Sequence, residues 1–155
     1  MTSGFMIAAP SSGSGKTVVT LGLLRALRNK GLSVGSLKVG PDYIDPAYHT
    51  AATGAPCRNF DLWAMRKETL QAQCRAAADN ADLIVAEGVM GLFDGAATGD
   101  KKDTGSTADA AAWLNWPVVL VVDSGGQGTS AAALVQGFAS FRDDVEIGGV
   151  IFNRI

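Results

Sequence analysis

The sequence predicts an α/β fold in which a doubly wound, mainly parallel sheet carries helices on both faces. Short apolar runs alternate with segments of helical spacing, and the 19 glycines fall between them, as in tight strand-to-helix turns. Hydrophobic residues make up 47% of the chain and charged residues only 18%, which suits a sheet buried on both sides. At 155 residues, the chain is long enough for one domain with a substantial core.

The chain begins with an apolar run, a glycine-rich turn and a helix. Residues 5–8 (Phe-Met-Ile-Ala) are the predicted strand, and residues 9–17 (Ala-Pro-Ser-Ser-Gly-Ser-Gly-Lys-Thr) are the turn. Apolar residues then recur at helical spacing up to Gly31, a residue type that favours a helix end. Residues 32–37 form the next predicted strand, parallel to the first because such crossovers are right-handed.

The glycine-rich turn has the features of a phosphate-binding loop. Gly13 and Gly15 let the backbone turn tightly, so that its amides and the helix N-terminus surround an anion. Lys16 then reaches the outer phosphates, and the Thr17 hydroxyl reaches a magnesium ion. The general motif has glycine where this chain has Pro10, although the Gly-Lys-Thr end is intact. We therefore predict a P-loop NTPase-like domain whose nucleotide-binding residues are Ser12, Gly13, Ser14, Gly15, Lys16, Thr17 and Val18.

A loop is predicted for residues 38–49 (Lys-Val-Gly-Pro-Asp-Tyr-Ile-Asp-Pro-Ala-Tyr-His), because two prolines and a glycine interrupt regular structure. It leaves the carboxyl end of a strand, where ligands bind in open α/β sheets. This position favours a functional segment, although aspartates that bond their own backbone are the structural alternative. His49, the only histidine, is interpreted as a loop histidine with satisfied hydrogen bonds rather than as a catalytic one.

A third strand, at residues 82–87, ends in a carboxylate. An apolar strand with an acid at its carboxyl end has the features of a Walker B element, in which Glu87 helps to hold magnesium or its water. The glycine-rich loop at residues 88–95 follows. It contains Asp94, which is either a second site carboxylate or a turn residue.

The remaining elements complete the sheet and its helices. They are a surface helix at 66–80, an exposed loop at 99–105, a helix from 106 to 114, a strand at 117–123, an alanine-rich helix through 138 and a strand at 145–152. A doubly wound sheet needs cover beyond its last strand. Because the sequence offers none after residue 152, we expect a domain truncated at its C-terminus.

Charge and cysteine content narrow the class of protein. The formal net charge is −2, and no basic run is longer than Lys101-Lys102, so nucleic acid is not an expected partner. The first residues contain no basic leader, and no apolar stretch approaches the length of a membrane span. Cys57 and Cys74 lack metal-type spacing. We expect a cytoplasmic enzyme or switch without membrane contact.

Four stretches together resemble the N-terminal, ATP-dependent part of the cobyrinic and hydrogenobyrinic acid a,c-diamide synthases. They are residues 9–17, residues 38–46, residues 87–95 (Glu-Gly-Val-Met-Gly-Leu-Phe-Asp-Gly) and residues 149–154 (Gly-Val-Ile-Phe-Asn-Arg). The resemblance covers essentially the whole chain, and its second and third stretches are the specific ones. The family is similar in fold to dethiobiotin synthetase and, more distantly, to the septum-positioning ATPases and nitrogenase iron protein.

The resemblance implies a carbon–nitrogen ligase of cobalamin biosynthesis, a glutamine amidotransferase that uses ATP and Mg²⁺. ATP would phosphorylate the a and c carboxylates of a corrin polyacid, and ammonia from glutamine would displace the phosphate. Residues 1–155 would be the ATP-binding amidoligase domain. We expect residues 1–155 not to include the family's C-terminal glutaminase domain, because neither cysteine lies in a glycine-flanked nucleophile turn. Homodimerisation stays open.

Individual roles follow from the resemblance together with the chemistry of phosphoryl transfer, which depends on positioning and charge neutralisation. The expected magnesium ligands are Thr17, Asp42 and Glu87. The expected catalytic residues are Lys16, Lys38, Asp45 and Asp94. Of these, Asp45 and Asp94 resemble family positions near the reacting carboxylate. Asn153 is placed like the adenine-contacting asparagine of dethiobiotin synthetase.

Three alternatives accompany this interpretation. A nucleotide switch of the partition or septum-positioning type would carry a lysine where this chain has Ser11. A dethiobiotin synthetase-like ligase is disfavoured by residues 40–46 (Gly-Pro-Asp-Tyr-Ile-Asp-Pro). The third alternative is a piece that folds but is inactive, since part of its nucleotide site would be missing.

Overall fold

Strands and helices alternate along the described residues, 3–96 and 104–155 of a computed structural model. The strands are β1 (Gly4–Ala8), β2 (Val34–Val39), β3 (Arg58–Phe60), β4 (Leu83–Glu87), β5 (Val118–Asp123) and β6 (Ile147–Asn153). The helices are α1 (Lys16–Asn29), α2 (Asp45–Thr53), α3 (Lys67–Ala78), α4 (Thr107–Leu114) and α5 (Ser130–Ser140). None of these helices is long and apolar enough to cross a membrane.

The strands form one sheet with the order β3-β2-β4-β1-β5-β6, and every pairing between the described strands is parallel. The chain moves from β1 to one side of the sheet and later returns to the other side, so β1 lies where the direction of winding reverses. Ligands bind at the carboxyl ends of the strands near such a point. The segments that follow β1, β2 and β4 therefore share one edge of the sheet.

Side chains of β1 and of Ala9, the residue after it, alternate between two separate cores. Met6 and Ala8 face a core completed by α3, α4 and α5, whereas Ile7 and Ala9 face a core completed by α1 and α2. All four are at most 1% exposed, and burying a side chain as large as Met6 or Ile7 contributes roughly 1.5–3 kcal/mol. This arrangement confirms the predicted doubly wound sheet with helices on both faces.

The prediction of a loop over residues 38–49 was wrong at both ends. The first two of these residues complete β2, and helix α2 begins at Asp45. Pro46 lies in the first turn of α2, where proline is tolerated because the missing amide would have no partner within the helix. His49 is consequently a helix residue, and its side chain is fully buried.

Other boundaries differ by a few residues, and one strand was not predicted. The predicted strand at 32–37 lies two residues later as β2, and the predicted third strand is the fourth, because β3 precedes it. Only Phe60 of the three residues of β3 is fully buried, so its apolar signal is short. The exposed loop predicted for 99–105 lies largely outside the described residues.

Helix α4 starts at the predicted place because Ser106 caps it. The Ser106 hydroxyl accepts a hydrogen bond from the Asp109 amide at 3.1 Å, and the Asp109 carboxylate accepts one from the Ser106 amide at 3.2 Å. This reciprocal pair is a capping box. The carboxylate also accepts from the Thr104 amide and pairs with Arg142, so the cap ties several segments together.

We expect Ser106→Ala to lower the free energy of unfolding by about 1 kcal/mol, because one amide of the first turn loses its partner. In a domain of this size that is a decrease in Tm of about 2–4 °C, measurable by circular dichroism. The control is Ser140→Ala, whose exposed hydroxyl bonds carbonyls of its own helix and should matter by less than about 0.5 kcal/mol. Equal Tm values for the two variants would contradict the capping role.

Candidate active site

Two glycines of the loop between β1 and α1 have a left-handed backbone conformation. Gly13 has φ 82° and Gly15 has φ 93°, a region that residues with a Cβ rarely adopt. A Cβ on Gly15 would also clash with the side-chain amide of Asn153. That amide donates a 2.9 Å hydrogen bond to the Ser14 carbonyl oxygen. The last residue of β6 therefore stabilises the loop through a side-chain hydrogen bond to its backbone.

Lys16, the first residue of α1, contacts the segment that follows β4. Its Nζ donates a 2.7 Å hydrogen bond to the carbonyl oxygen of Met90, whose backbone is left-handed with φ 50°. Burial and the nearby Lys38 ammonium lower the pKa of Lys16. In the same segment, the Leu92 amide donates to the Ala9 carbonyl oxygen at 2.8 Å. The segment after β4 is thus bonded at two points to the residues between the end of β1 and the start of α1.

Glu87 ends β4 as predicted and is fully buried. Its Oε1 accepts hydrogen bonds from the Thr17 hydroxyl at 2.6 Å and from Lys38 Nζ at 3.0 Å. Its Oε2 lies 2.6 Å from His49 Nε2. Burial alone would raise the pKa of Glu87, but His49, Lys38 and Thr17 together lower it to about 2. The carboxylate is therefore ionised in the folded domain.

Lys38 lies between two carboxylates. Its Nζ is 2.7 Å from Asp45 Oδ2 and 3.0 Å from Glu87 Oε1, and it donates to the Gly88 carbonyl oxygen at 3.2 Å. Burial opposes the charge, but the two carboxylates outweigh it and raise the pKa of Lys38. Asp45 Oδ2 also lies 3.5 Å from the Thr17 hydroxyl. Four side chains from two helices and two strands therefore form one charged cluster around the buried Lys38 and Glu87: Thr17, Lys38, Asp45 and Glu87.

The other site residues predicted from sequence lie around this cluster. Asp42 Oδ1 accepts hydrogen bonds from the Ile44 and Asp45 amides at 2.8 and 3.0 Å, so it organises the turn before α2. Asp94 Oδ2 accepts from the Gly91 amide at 2.9 Å, and its charge acts on Lys16. Ser12 and Val18 are exposed at the rim of the loop.

Sequence reasoning did not identify the contact between His49 and Glu87. His49 lies four residues after Asp45, which places both side chains on one face of α2. That spacing was visible in the sequence, but it carries no information while the segment is taken for a loop. Cys57, whose Sγ lies 3.5 Å from His49 Nδ1, had no signal beyond being one of two cysteines.

Because His49 and Glu87 form a buried pair, we expect the free energy of unfolding to decrease as the pH rises above neutral. Burial opposes the charge on His49, but hydrogen bonds to Cys57 and Glu87 raise its pKa from 6.5 to about 9. The pKa of His49 is higher in the folded than in the unfolded chain. The charged imidazole therefore stabilises the fold fully below pH 6.5, and this stabilisation is lost as the pH rises to about 9. The lost free energy is at most roughly 3 kcal/mol.

Urea unfolding between pH 6 and 9.5, without magnesium or nucleotide, measures this decline. His49→Leu should remove it, since no group then titrates at this position. Parallel pH profiles for the two proteins would contradict the assignment. The depressed pKa of Glu87 has the opposite sign: its contribution is present above pH 4.5 and is lost as the pH falls through about 2.

The oxygen atoms of the cluster fit magnesium bound together with a phosphate. Thr17 Oγ1, Asp45 Oδ2 and Glu87 Oε1 converge on one point of the sheet edge, and magnesium prefers oxygen ligands while keeping several waters. Within residues 3–96 and 104–155, no three or more His, Cys, Asp or Glu side chains form a group able to hold a metal by themselves. The donor set therefore suits magnesium that takes further ligands from a nucleotide.

A parallel sheet, a glycine-rich loop that opens a helix with Lys16 and Thr17, and Glu87 on a neighbouring strand define a nucleotide-binding domain of the P-loop class. The sequence agrees with this. The chain belongs to the family described as "CobQ/CobB/MinD/ParA nucleotide binding domain", whose pattern matches residues 5–155.

Several relatives are close in sequence. The chain is 60% identical over 152 residues to the hydrogenobyrinate a,c-diamide synthase of Rhizobium meliloti (strain 1021), and 51% identical over 150 residues to that of Mesorhizobium japonicum. These alignments cover 98% and 97% of this chain but 34% of each relative. The chain thus spans about a third of the length of these curated relatives. The similarity confirms the family resemblance carried by the four stretches.

Solved structures with a similar fold are more distant in sequence. The signal recognition particle receptor FtsY of Elizabethkingia anophelis in complex with GDP matches with a TM-score of 0.62 at 16% identity, covering 92% of this chain and 47% of that one. Chloroplast FtsY of Physcomitrella patens matches with a TM-score of 0.62 at 19% identity, covering 98% and 49%. At such identities the likeness concerns the fold alone, and it confirms the predicted P-loop NTPase-like architecture.

Proposed function

We propose that this domain uses ATP to activate the a and c carboxylates of a corrin polyacid, so that ammonia converts them to amides. The observation that carries the proposal is the charged cluster of Thr17, Lys38, Asp45 and Glu87 beside the phosphate loop, in which Lys38 and Glu87 are buried. A phosphate loop alone supports nucleotide binding. A second buried lysine, Lys38, can also bind the substrate carboxylate that accepts the phosphoryl group. The substrate class is taken from the relatives, which are named hydrogenobyrinate a,c-diamide synthases.

The proposed reaction has two steps. An oxygen of the substrate carboxylate attacks the γ-phosphorus of ATP, the bond to the β–γ bridging oxygen breaks, and ADP leaves an acyl phosphate behind. Ammonia then attacks the acyl carbon, the carbon–oxygen bond to the phosphate breaks, and the nitrogen loses a proton as inorganic phosphate departs. Both steps depend on bringing anions together and neutralising their charge.

The lysines and aspartates divide this work in the proposal. Lys16 exchanges its hydrogen bond to the Met90 carbonyl for one to the transferred phosphate. Lys38 offsets the charge that develops on the acyl phosphate, and its contact with Asp45 fixes the direction of its ammonium group. Asp45 and Asp94 are the proposed acceptors for the proton that ammonia loses.

The nucleotide and its metal would be held by the loop residues. When bound, magnesium would supply positive charge to the phosphate oxygens, with Thr17 and Glu87 as its protein ligands. Asp42 remains a predicted ligand. Asp45 is the carboxylate whose contact with Thr17 makes it a second candidate. For Asn153 we propose a position beside the nucleotide, supported by its hydrogen bond to Ser14.

We propose glutamine as the source of ammonia in the whole protein. The relatives are about three times as long as this chain, since the alignments cover 34% of them, which is consistent with a further domain that hydrolyses glutamine. This chain alone is then expected to use free ammonia but not glutamine.

The proposal is tested by a product assay with ATP, magnesium, an ammonium salt and hydrogenobyrinic acid, read by mass spectrometry. A mass change of one or two amidations is the expected result, and glutamine in place of the ammonium salt should give none. Binding of ATP without any amidation would contradict carboxylate activation by this chain on its own and would favour a nucleotide switch or a piece that folds but is inactive.

A further inference from the structure

His49 is a buried histidine whose side chain faces the candidate magnesium ligand. It is fully buried in α2, and its Nε2 lies 2.6 Å from Oε2 of Glu87, which is also fully buried. Neither the nucleotide nor the substrate reaches a side chain without exposed surface, so His49 does not act by direct contact. Any influence on the reaction has to pass through Glu87.

The two oxygens of Glu87 have separate partners. Oε1 accepts from the Thr17 hydroxyl and from Lys38, whereas Oε2 accepts from His49. The last torsion of a glutamate side chain is broad, so a carboxylate bonded through one oxygen can rotate about its terminal bond. A short hydrogen bond to the second oxygen removes that freedom. His49 thereby fixes the direction in which Oε1 points.

The imidazole ring of His49 has a partner at each nitrogen. Its Nε2 contacts Glu87 Oε2, and its Nδ1 lies 3.5 Å from Cys57 Sγ. The Cys57 amide in turn donates to the Thr50 hydroxyl at 3.0 Å. The segment between α2 and β3 is therefore bonded to the helix on the side of the ring remote from Glu87. The imidazole ring has one orientation.

We infer that His49 is a positioning residue, which holds Glu87 with Oε1 directed at the Thr17 hydroxyl, where magnesium would bind. The inference rests on the proposed role of Glu87 as a magnesium ligand. It assigns α2 a function other than packing. The helix places Asp45 in the cluster and, one turn later, places His49 where it orients Glu87. Partners that orient metal ligands typically contribute 10- to 100-fold to metal affinity.

The test compares His49→Leu with His49→Gln in this chain. Leucine fills the site without a donor, whereas the glutamine amide nitrogen can occupy the position of Nε2. Binding of the fluorescent N-methylanthraniloyl derivative of ATP is titrated with magnesium and, separately, measured in EDTA. We expect His49→Leu to raise the half-saturating magnesium concentration by about tenfold, with little change in affinity in EDTA. His49→Gln should recover most of the loss.

Thr53→Ala is the matched control, because it breaks a hydrogen bond within the same helix without touching Glu87. It should lower Tm and leave the magnesium dependence unchanged. If His49→Leu behaves like Thr53→Ala, or if His49→Gln is as impaired as His49→Leu, the inference is overturned. Should His49→Leu fail to fold, His49→Asn replaces it, since its shorter amide does not reach Oε2 and the same shift in magnesium dependence is expected.

The proposed function fails in a different way. If the unsubstituted chain binds the fluorescent nucleotide equally well in magnesium and in EDTA, the role of Glu87 at magnesium is wrong. If the unsubstituted chain depends on magnesium while His49→Leu shows the same dependence, only the role of His49 is wrong.

Discussion

Lys16→Ala is expected to reduce ATP turnover by roughly 100- to 1,000-fold, the typical cost of removing one donor that stabilises transition-state charge. Lys16 is the first residue of α1, and its ammonium lies at the mouth of the phosphate loop, 2.7 Å from the Met90 carbonyl oxygen. The partner of Lys16 is a neutral backbone oxygen of an exposed residue. Removing the Lys16 side chain therefore leaves no buried charge of that partner without a hydrogen bond. The fold should therefore persist. Phosphate release, followed continuously, gives the turnover.

The matched control for Lys16→Ala is Lys30→Ala, an exposed lysine just beyond the opposite end of α1. It removes the same charge from the chain and should leave turnover within about a factor of two, since surface changes of this kind matter little. Similar turnover in both variants would contradict the role of Lys16. A large decrease in Tm for Lys16→Ala would mean that its loss of turnover reflects unfolding.

Glu87→Gln is expected to abolish magnesium-dependent turnover and, unlike Lys16→Ala, to destabilise the domain as well. The carboxylate faces the ammonium of Lys38 and the imidazole of His49, and all three groups are buried. Removing one member of a buried charged network leaves the others uncompensated and typically costs about 3 kcal/mol or more. For a domain of this size we expect Tm to fall by roughly 6–12 °C.

The stability part of this prediction has its own control. Adding His49→Leu to Glu87→Gln removes one of the two cations that the substitution leaves without a partner. The double variant should therefore lose less free energy than the two single losses added together, as expected for residues in contact. Urea unfolding of the four proteins measures the coupling, and additive losses would contradict a shared charge network.

Local patterns were sufficient to predict the glycine-rich loop after β1 and the strand that ends in Glu87. Gly13 and Gly15 are required by the left-handed backbone that they adopt, and Glu87 follows a run of apolar residues that the sheet buries. Both features depend on neighbours in the sequence, so spacing and residue type identify them. The doubly wound fold was predicted from the alternation of strands and helices along the chain, which is also visible in local spacing and residue type.

Helix α2 could not be predicted from the same kind of pattern. Two prolines and a glycine suggested a loop, yet Pro46 lies in the first helical turn, where it costs little. The helix is stabilised instead by the burial of Ala52 and His49 against the sheet. Such packing depends on residues far along the chain, which a local pattern does not contain.

The internal geometry of the site was likewise beyond the sequence. The sequence predicted Asp42 as a magnesium ligand and Asp45 as a catalytic residue, although both lie in the same short segment. Only the path of the chain brings Asp45 within 3.5 Å of the Thr17 hydroxyl, while Asp42 bonds the amides before α2. Asn153 was compared with an adenine-contacting residue, and its hydrogen bond to the Ser14 carbonyl depends on how β6 joins the sheet.

This last hydrogen bond links nucleotide binding to the completion of folding. It spans 139 positions of sequence, so the loop acquires its full support only after β6 has paired with β5 at the far side of the sheet. By mass action, a ligand that binds only the finished loop stabilises everything the loop requires, by about 2.7 kcal/mol at a hundred times its Kd. Nucleotide bound to the finished loop would thus protect the last strand from local unfolding. Hydrogen exchange of the β6 amides would record that protection directly.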